Sequence, residues 1–420
     1  MSEPQEDPAP PEEDGTEEAD LADGFQLATF AGSKGRLGAF RVSEILRRAE
    51  SGDALIDLLT PQDANELLLL LRGESVVDWY RLDYDTEADS RRLLALNSLD
   101  WDDPNDRKRV EALRASAVEY LRRVLKLHVD EVVADTAPFV QLPLMASGKL
   151  GTRKQQRNSC TLLKVMHILY HLDARELRTQ LALSDTDLFE SVEQSVLEVF
   201  DQLRAMGAPV VEFQWSRKTR DSLVTKMLVK RETSAARVFD RLRFRLIVKE
   251  RGDILPTLRT MLRKLIPFNY VVPGQSVNSL VGTHKLDQIG PSPLATNEGR
   301  GADLNEFSGA NFRVINFIAD LPVRVDQLVD PEQIDAQRGN VVFVLVEFQI
   351  LDIATAQSNE QGESSHSAYK TRQHARVRER MLRAPTEGKN KNGNKTEAPP
   401  EPKADDMLGR VLQADDEPDR

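Results

Sequence analysis

Hydrophobic positions follow different periods in different parts of the chain. Residues 24–182 read as mainly helical. In 107–127, Val110, Leu113, Val118, Leu121, Val124 and Leu125 recur at spacings of three and four, forming one apolar stripe. DANELLLLLRG (63–73) predicts a buried helix stopped at Gly73, and CTLLKVMHILYHL (160–172) a helix with Leu162, Val165, Met166 and Leu169 inward. From 184 the pattern changes. Ser184 and Asp187 resemble a capping box ahead of a stripe of Leu188, Val192, Val196, Val199 and Leu203, which Gly207 closes. Strand-like PVVEFQW (209–215), helical DSLVTKMLVK (221–230) and strand-like RLRFRLIVK (241–249) come next. A helix over about 254–266 and strands over 312–318 and 341–350 complete the series. Helices alternating with β-rich segments predict an α/β or α+β domain around one sheet.

The ends have no such period. Residues 1–23 and 384–420 repeat Glu, Asp, Pro and Lys with few apolar positions, too few to offset the entropy of ordering, so both read as disordered acidic tails. The organisation expected is therefore a tail (1–23), a mainly helical domain (24–182), a sheet domain (184–383) and a second tail (384–420). Residues 273–306, rich in Gly, Pro, Ser and Asn, read as a long loop or insertion.

Charge alters this picture once it is divided. The net −12 separates into −10 in 1–23, −3 in 384–420 and +1 between them. Within the near-neutral body, 217–245 holds ten Lys/Arg against three acids, a stretch suited to a polyanion such as a nucleotide. A single cysteine, Cys160, excludes an internal disulfide and points to a reducing cytoplasm. The longest leucine run, Leu67 to Leu71, is far short of the ~20 residues of a membrane span.

Strand alternation then sorts the candidate chemistry. It puts Arg241, Arg243 and Arg245 on one face of their strand, opposite Leu242, Phe244, Leu246 and Val248. It likewise puts Glu347 and Gln349 opposite Val346, Phe348 and Ile350, with Asp240 at the entrance to the first strand. Phosphoryl-transfer sites need this kind of set: carboxylates for magnesium and guanidinium groups for charge spread over phosphate oxygens.

Over about 186–383 the sequence resembles the synthetase domain of RelA/SpoT-type alarmone synthetases. VEFQI (346–350) looks like the family's Glu-x-Gln strand, and Glu360, Gly362, His366, Tyr369 and Lys370 fall on the element that follows it. In VFDRLRFRLIV, Asp240 takes the place of the metal-binding aspartate and Arg245 that of the following arginine. In SRKTRDSLVTKML, Lys218, Ser222 and Lys226 fit the run that grips ATP. The resemblance implies an α+β, nucleotidyltransferase-like mixed sheet flanked by helices. It also implies Mg2+-dependent transfer of pyrophosphate from ATP to GDP or GTP, with Asp240 and Glu347 holding the metal. Arg217, Lys218, Ser222, Lys226, Arg243, Arg245, Gln349, His366, Tyr369 and Lys370 would contact nucleotide.

The departures are equally specific. The ATP-facing arginine falls at Ser216, with Arg217 one position late, and no arginine follows Gln349. The acceptor loop fits either QSVNSLV (275–281), with Ser279, or ANFRVIN (310–316), which offers Phe312 as the aromatic and Asn316 for the family's histidine. The second is preferred for its aromatic face.

Other signals are discounted. His167 and His171 stand four apart on a helix but lack a third zinc ligand, and read as core or helix-face histidines. GSKGRLG (32–38) and SGKLGT (147–152) lack Walker A spacing, and no His-Asp dipeptide marks a hydrolase half. Three alternatives stand beside the enzyme: a nucleotide-binding regulator on the same fold that has lost turnover, a helical interaction protein acting through 24–182, and transfer to RNA.

Overall fold

The structure, a computed structural model, describes residues 26–27, 59–73, 79–181, 183–205, 207–230, 241–289, 311–326, 328–330, 339–361 and 366–382. The two tails read as disordered, the Walker-like candidate at 32–38 and Asp240 lie outside these residues. Among them a mixed sheet runs β1 (Gln26–Leu27), β2 (Val210–Arg217), β3 (Leu242–Val248), β6 (Val341–Asp352), β5 (Ile315–Arg324), β4 (Val277–Asn278). Only β3 and β6 pair in parallel; the other neighbours are antiparallel.

One face of the sheet is aromatic. Phe213, Phe244, Phe348 and Phe317 stack in sequence across β2, β3, β6 and β5, with centroids 5.4–5.7 Å apart. Helix α6 (Asp185–Ala205) lies on this face, its Phe200 stacked 4.5 Å from Phe213. Its start is capped by Ser184, whose hydroxyl accepts from the Asp187 N–H at 3.1 Å. Gly207 follows its end at φ 79, where glycine avoids the strain of a side chain. β2 leads into α7 (Arg220–Lys230), and β3 into α8 (Ile254–Lys264), as the periodicity expects.

The helical segments before 182 are α1 (Pro61–Arg72), α2 (Glu87–Leu96), α3 (Pro104–Arg123), α4 (Leu142–Ala146) and α5 (Arg153–Gln180). These helices share one compact unit with the sheet. The apolar stripe of α3 buries Val110, Leu113, Val118 and Leu121, but the helix ends at Arg123 and leaves Val124 and Leu125 exposed. Helix α1 is buried from Gln62 to Leu71, touching α8, β5 and the β4 segment. Gly73 closes it at φ 60, and its carbonyl accepts from the Gly274 N–H at 2.9 Å. A Cβ there would sit 3.0 Å from Ser276 Cβ. Gly73→Ala is expected to lower stability by about 1–3 kcal/mol, read as a drop in melting temperature.

Two sequence expectations change. Residues 273–306 are not a plain loop: β4 and α9 (His284–Ile289) occupy their first half, and 290–306 lie outside the described residues. The strand expected at 312–318 starts at Ile315 and runs on through Pro322 to Arg324. Proline is tolerated there because the pairing on that side of β5, with β4 at Ile315 and Asn316 and with Val271 at Ala319, ends before Pro322. Among the described residues no helix is long and apolar enough to cross a membrane.

Candidate functional site

The sheet's second face carries a polar row. Parallel pairing sets Arg243 beside Glu347 and Arg245 beside Gln349. Antiparallel pairing adds Ile318 and Asn316 from β5, and Ser216 and Gln214 from β2, at the same levels. Arg243 Nε donates to Glu347 Oε2 at 2.7 Å, while Asn316 Nδ2 and Gln349 Nε2 donate to Oε1 at 2.5 and 3.2 Å. Arg245 Nε donates to Gln349 Oε1 at 3.2 Å. Glu347 is only 5 % exposed, and a carboxylate so placed is tolerable because a guanidinium and two amides satisfy its oxygens. Among these side chains there are two guanidinium groups and one carboxylate.

Arg241, expected on the same row, turns away. Its guanidinium reaches Asp185 at 2.7 Å and lies over the Phe189 ring on α6. Arg217 pairs with Leu242 in register, which puts it on the opposite face from Arg243. There Glu193 holds it with two bonds of 2.7 and 2.8 Å. That fork raises the Arg217 pKa and fixes the side chain to α6. Ser216, the position before it, is the one that faces the row. A one-residue offset in a strand exchanges faces.

The remaining candidates sit on other elements. Lys218 follows β2, its N–H donating to the Arg241 carbonyl at 2.9 Å. Ser222 and Lys226 share one side of α7, one turn apart; the Ser222 N–H donates to the Thr219 hydroxyl. Phe312 is half-buried just before β5, and Asn316 from the same segment reaches Glu347 directly. Val277, from the other candidate acceptor segment, pairs with Asn316. His366, Tyr369 and Lys370 belong to α11 (His366–Leu382); the Tyr369 hydroxyl accepts from Gln373 Nε2 at 2.6 Å. Asp240 and Gly362 lie outside the described residues.

Two features escaped the sequence reading. Asp320 lies on the same face as Glu347, two positions along β5 from Ile318, the residue paired with Glu347. Its Oδ2 meets His171 Nε2 at 2.7 Å. Alternation continued past 318, where the expected strand ended, would have found it. Helix α5 crosses the face here: Tyr170 and His171 pack on Phe343, which Tyr270 also covers at 4.3 Å. His167 stacks on Tyr270 at 4.4 Å, and burial, with His171 nearby, lowers its pKa to about 4. Both histidines are thus packing residues, and no cluster of three or more metal-ligating side chains occurs among the described residues.

No protein-family model matches the chain, and no curated protein matches it. Among solved structures it is similar to small alarmone synthetase 1 from Bacillus subtilis, at 12 % identity and a TM-score of 0.25 over 50 % of this chain and 86 % of that one. A GTP pyrophosphokinase family protein from Streptococcus pneumoniae matches at 14 % identity and TM-score 0.27, over 47 % and 88 %. Small alarmone synthetase 2 from Bacillus subtilis matches at 13 % identity and TM-score 0.25, over 47 % and 96 %.

Proposed function

We propose that the polar row is the donor side of a nucleotide pyrophosphokinase, which moves pyrophosphate from ATP to a GDP- or GTP-like acceptor in the presence of magnesium. The observation that carries this reading is the parallel register of Arg243–Arg245 with Glu347–Gln349. The two segments with the strongest resemblance are adjacent strands, and their functional positions share one face. A hard carboxylate suits magnesium, which is usually held by one or two carboxylates plus substrate phosphates. Glu347 and Asp240 would hold it, and the bound ion would neutralise charge on the phosphate oxygens.

The other roles fall to the chain's own groups. Arg245, Lys218 and Lys226 would face donor phosphates, with Ser222 on the same side of α7. Gln349 holds Arg245 and Glu347 at their spacing. Phe312 would stack on the acceptor base, and Tyr369 and Lys370 would close the site from α11. Arg217 has no part in this scheme, because the Glu193 fork holds it on the other face.

A second reading, a nucleotide-binding regulator without turnover, is favoured by the Arg243–Glu347 ion pair, which satisfies the acid internally. The deciding experiment is turnover of labelled ATP with magnesium and each of GDP, GTP, ADP, AMP and tRNA, beside Asp240→Asn and Glu347→Gln. The expected result is a pyrophosphorylated guanine nucleotide, reduced at least a hundredfold in both variants. Magnesium-dependent ATP binding without product, weakened by both substitutions, would select the regulator. Wild-type turnover in Glu347→Gln would end the assignment of the row.

A further inference from the structure

A cavity of about 330 Å³ opens at the edge of β5 beyond its pairing with β4. Leu321 and Val323 form its floor, and alternation puts both on the side of Phe317, away from the polar row. Val192 and Val199 of α6 make one wall, Leu265 after α8 another, and the end of α2 a third. The opening beside α10 (Ile353–Asn359) is a different place. Asn311 and Arg313 line it on either side of Phe312, so it belongs to the site already described.

Two of these walls are fixed to each other. Ser98 leaves α2 at φ 58, a left-handed turn that costs a residue with a side chain about 1–2 kcal/mol. Its N–H donates to the Ala95 carbonyl at 2.9 Å, and the Leu99 N–H to the Leu94 carbonyl at 3.0 Å, which closes the helix. The Ser98 hydroxyl donates to the Pro322 carbonyl at 3.3 Å. Glycine would take this turn more easily, but it would leave that edge carbonyl without the bond. Ser98 therefore holds α2 at a set distance from β5, and a cavity with fixed walls loses little freedom when it is filled.

One charged group in the lining has donors to spare. Arg92 is only 21 % exposed, and its guanidinium stands 3.6 Å from Glu66 and 3.8 Å from Asp89, too far for hydrogen bonds. Burial also pushes the Glu66 pKa up to about 7, so below that pH this acid does not balance Arg92. Lys264, exposed at the end of α8, adds a second cation at the mouth. The other charges in the lining are committed elsewhere. Arg263 holds Asp63 with two bonds of 2.7 and 3.0 Å, and Glu198 is exposed and accepts from Gln194 at 3.3 Å.

We propose that this cavity binds a small amphipathic anion, with a carboxylate or phosphate head on Arg92 and a compact apolar body against Leu321, Val323 and Val199. A guanidinium with open donors can meet such a head with two parallel bonds. The volume stands at the lower end of small-molecule sites, roughly 300–1,000 Å³, which limits the body to a single ring or a short chain. The inference stands whether or not the polar row turns over a nucleotide, because the two lie on opposite faces of the sheet.

The test titrates the full chain with benzoate, phenyl phosphate and the neutral match benzamide, by calorimetry in slightly acidic buffer. At least one of the two anions is expected to bind the wild type saturably at one site, and benzamide more weakly. Arg92→Gln is expected to weaken the anion about tenfold or more, the worth of a charged hydrogen bond. Ser195→Trp fills the mouth from an exposed position on α6 and is expected to abolish binding, which keeps the test decisive should Arg92→Gln fail to fold. Arg245→Gln, on the row, is expected to leave binding unchanged. No saturable binding of either anion, or binding that survives Ser195→Trp at full affinity, would overturn the site. Binding lost in Arg245→Gln but kept in Arg92→Gln would put the anion on the row and overturn it as well.

Discussion

Residues 184–383 produced without the preceding helices are expected to yield no cooperatively folded protein, whereas the fragment 59–382 is expected to melt in one transition. The sheet's polar side and its β4–β5 edge are completed by the earlier helices. Leu67 and Leu70 of α1 are fully buried where α1 meets β4, β5, α8 and α9. Each buried leucine is worth about 1.5–3 kcal/mol, so the buried run Leu67 to Leu71 alone approaches the whole stability of a typical domain, roughly 5–15 kcal/mol. Polar ties run the same way. Arg72 meets Asp287 at 2.5 Å, Arg263 holds Asp63 with two bonds, and Arg324 meets Asp106 at 2.7 Å. Cutting at 184 would leave Arg263, Asp287 and Arg324 without these partners and would bare Phe343 and Tyr270, which α5 covers. Near-ultraviolet circular dichroism and a thermal melt of both fragments check this. A sharp melt of 184–383 alone would show that the helical segments are an accessory and not part of the folding unit.

That expectation also marks where sequence reading reached and where it stopped. Local periodicity located α1, α5, α6, α7, α8, β2, β3 and β6, because each element buries one face or stripe and the pattern records which. Alternation separated the Arg243–Arg245 and Glu347–Gln349 rows from the aromatic face before any coordinates were needed. Register across strands is a different kind of information. Nothing in 312–324 alone announces that Asn316 will donate to Glu347, since that bond depends on how β5 slides against β6. Face assignment at a strand's end was equally hidden. Arg217 matches the family's arginine in type, but its position one residue late gives it to Glu193. The partition at 182 was read from a change of period, and period is silent on what a helix packs against. Helix α1, nearly all leucine on its inner turns, carries Gln62, Asp63 and Glu66 into the interior as well, and a polar residue there reads from sequence as a solvent face.

Those buried acids lead to the second large effect, a pH dependence that two single substitutions should uncover. Glu66 lies beneath α1, and burial pushes its pKa up to about 7, against the pull of Arg92 at 3.6 Å and the Gln62 amide. Asp63, one turn earlier, stays below the usual carboxylate range: burial raises it, but the Arg263 bond and the Arg259 charge outweigh that. Arg259 Nε approaches to 2.9 Å, though off the hydrogen-bond axis. For Glu66 the folded state holds the proton between the unfolded pKa of 4.5 and about 7, so its contribution falls as pH rises through that window. His167 acts oppositely. Its folded pKa of about 4 lies below the unfolded 6.5, so stability rises with pH until 6.5. Each slope is about 1.4 kcal/mol per pH unit, and the two cancel where the windows overlap. The windows overlap between about pH 4.5 and 6.5. The wild type should therefore show a shallow stability profile there from these two groups. Glu66→Gln removes the falling slope, so its stability is expected to climb relative to wild type by about 2 kcal/mol from pH 5 to 6.5. His167→Asn removes the rising slope and is expected to lose a similar amount over the same interval. Urea melts at half-unit pH steps measure both differences. Parallel profiles for wild type and Glu66→Gln would mean that Glu66 is ionised in the folded protein, held by Arg92, and that α1 carries two buried charges rather than one.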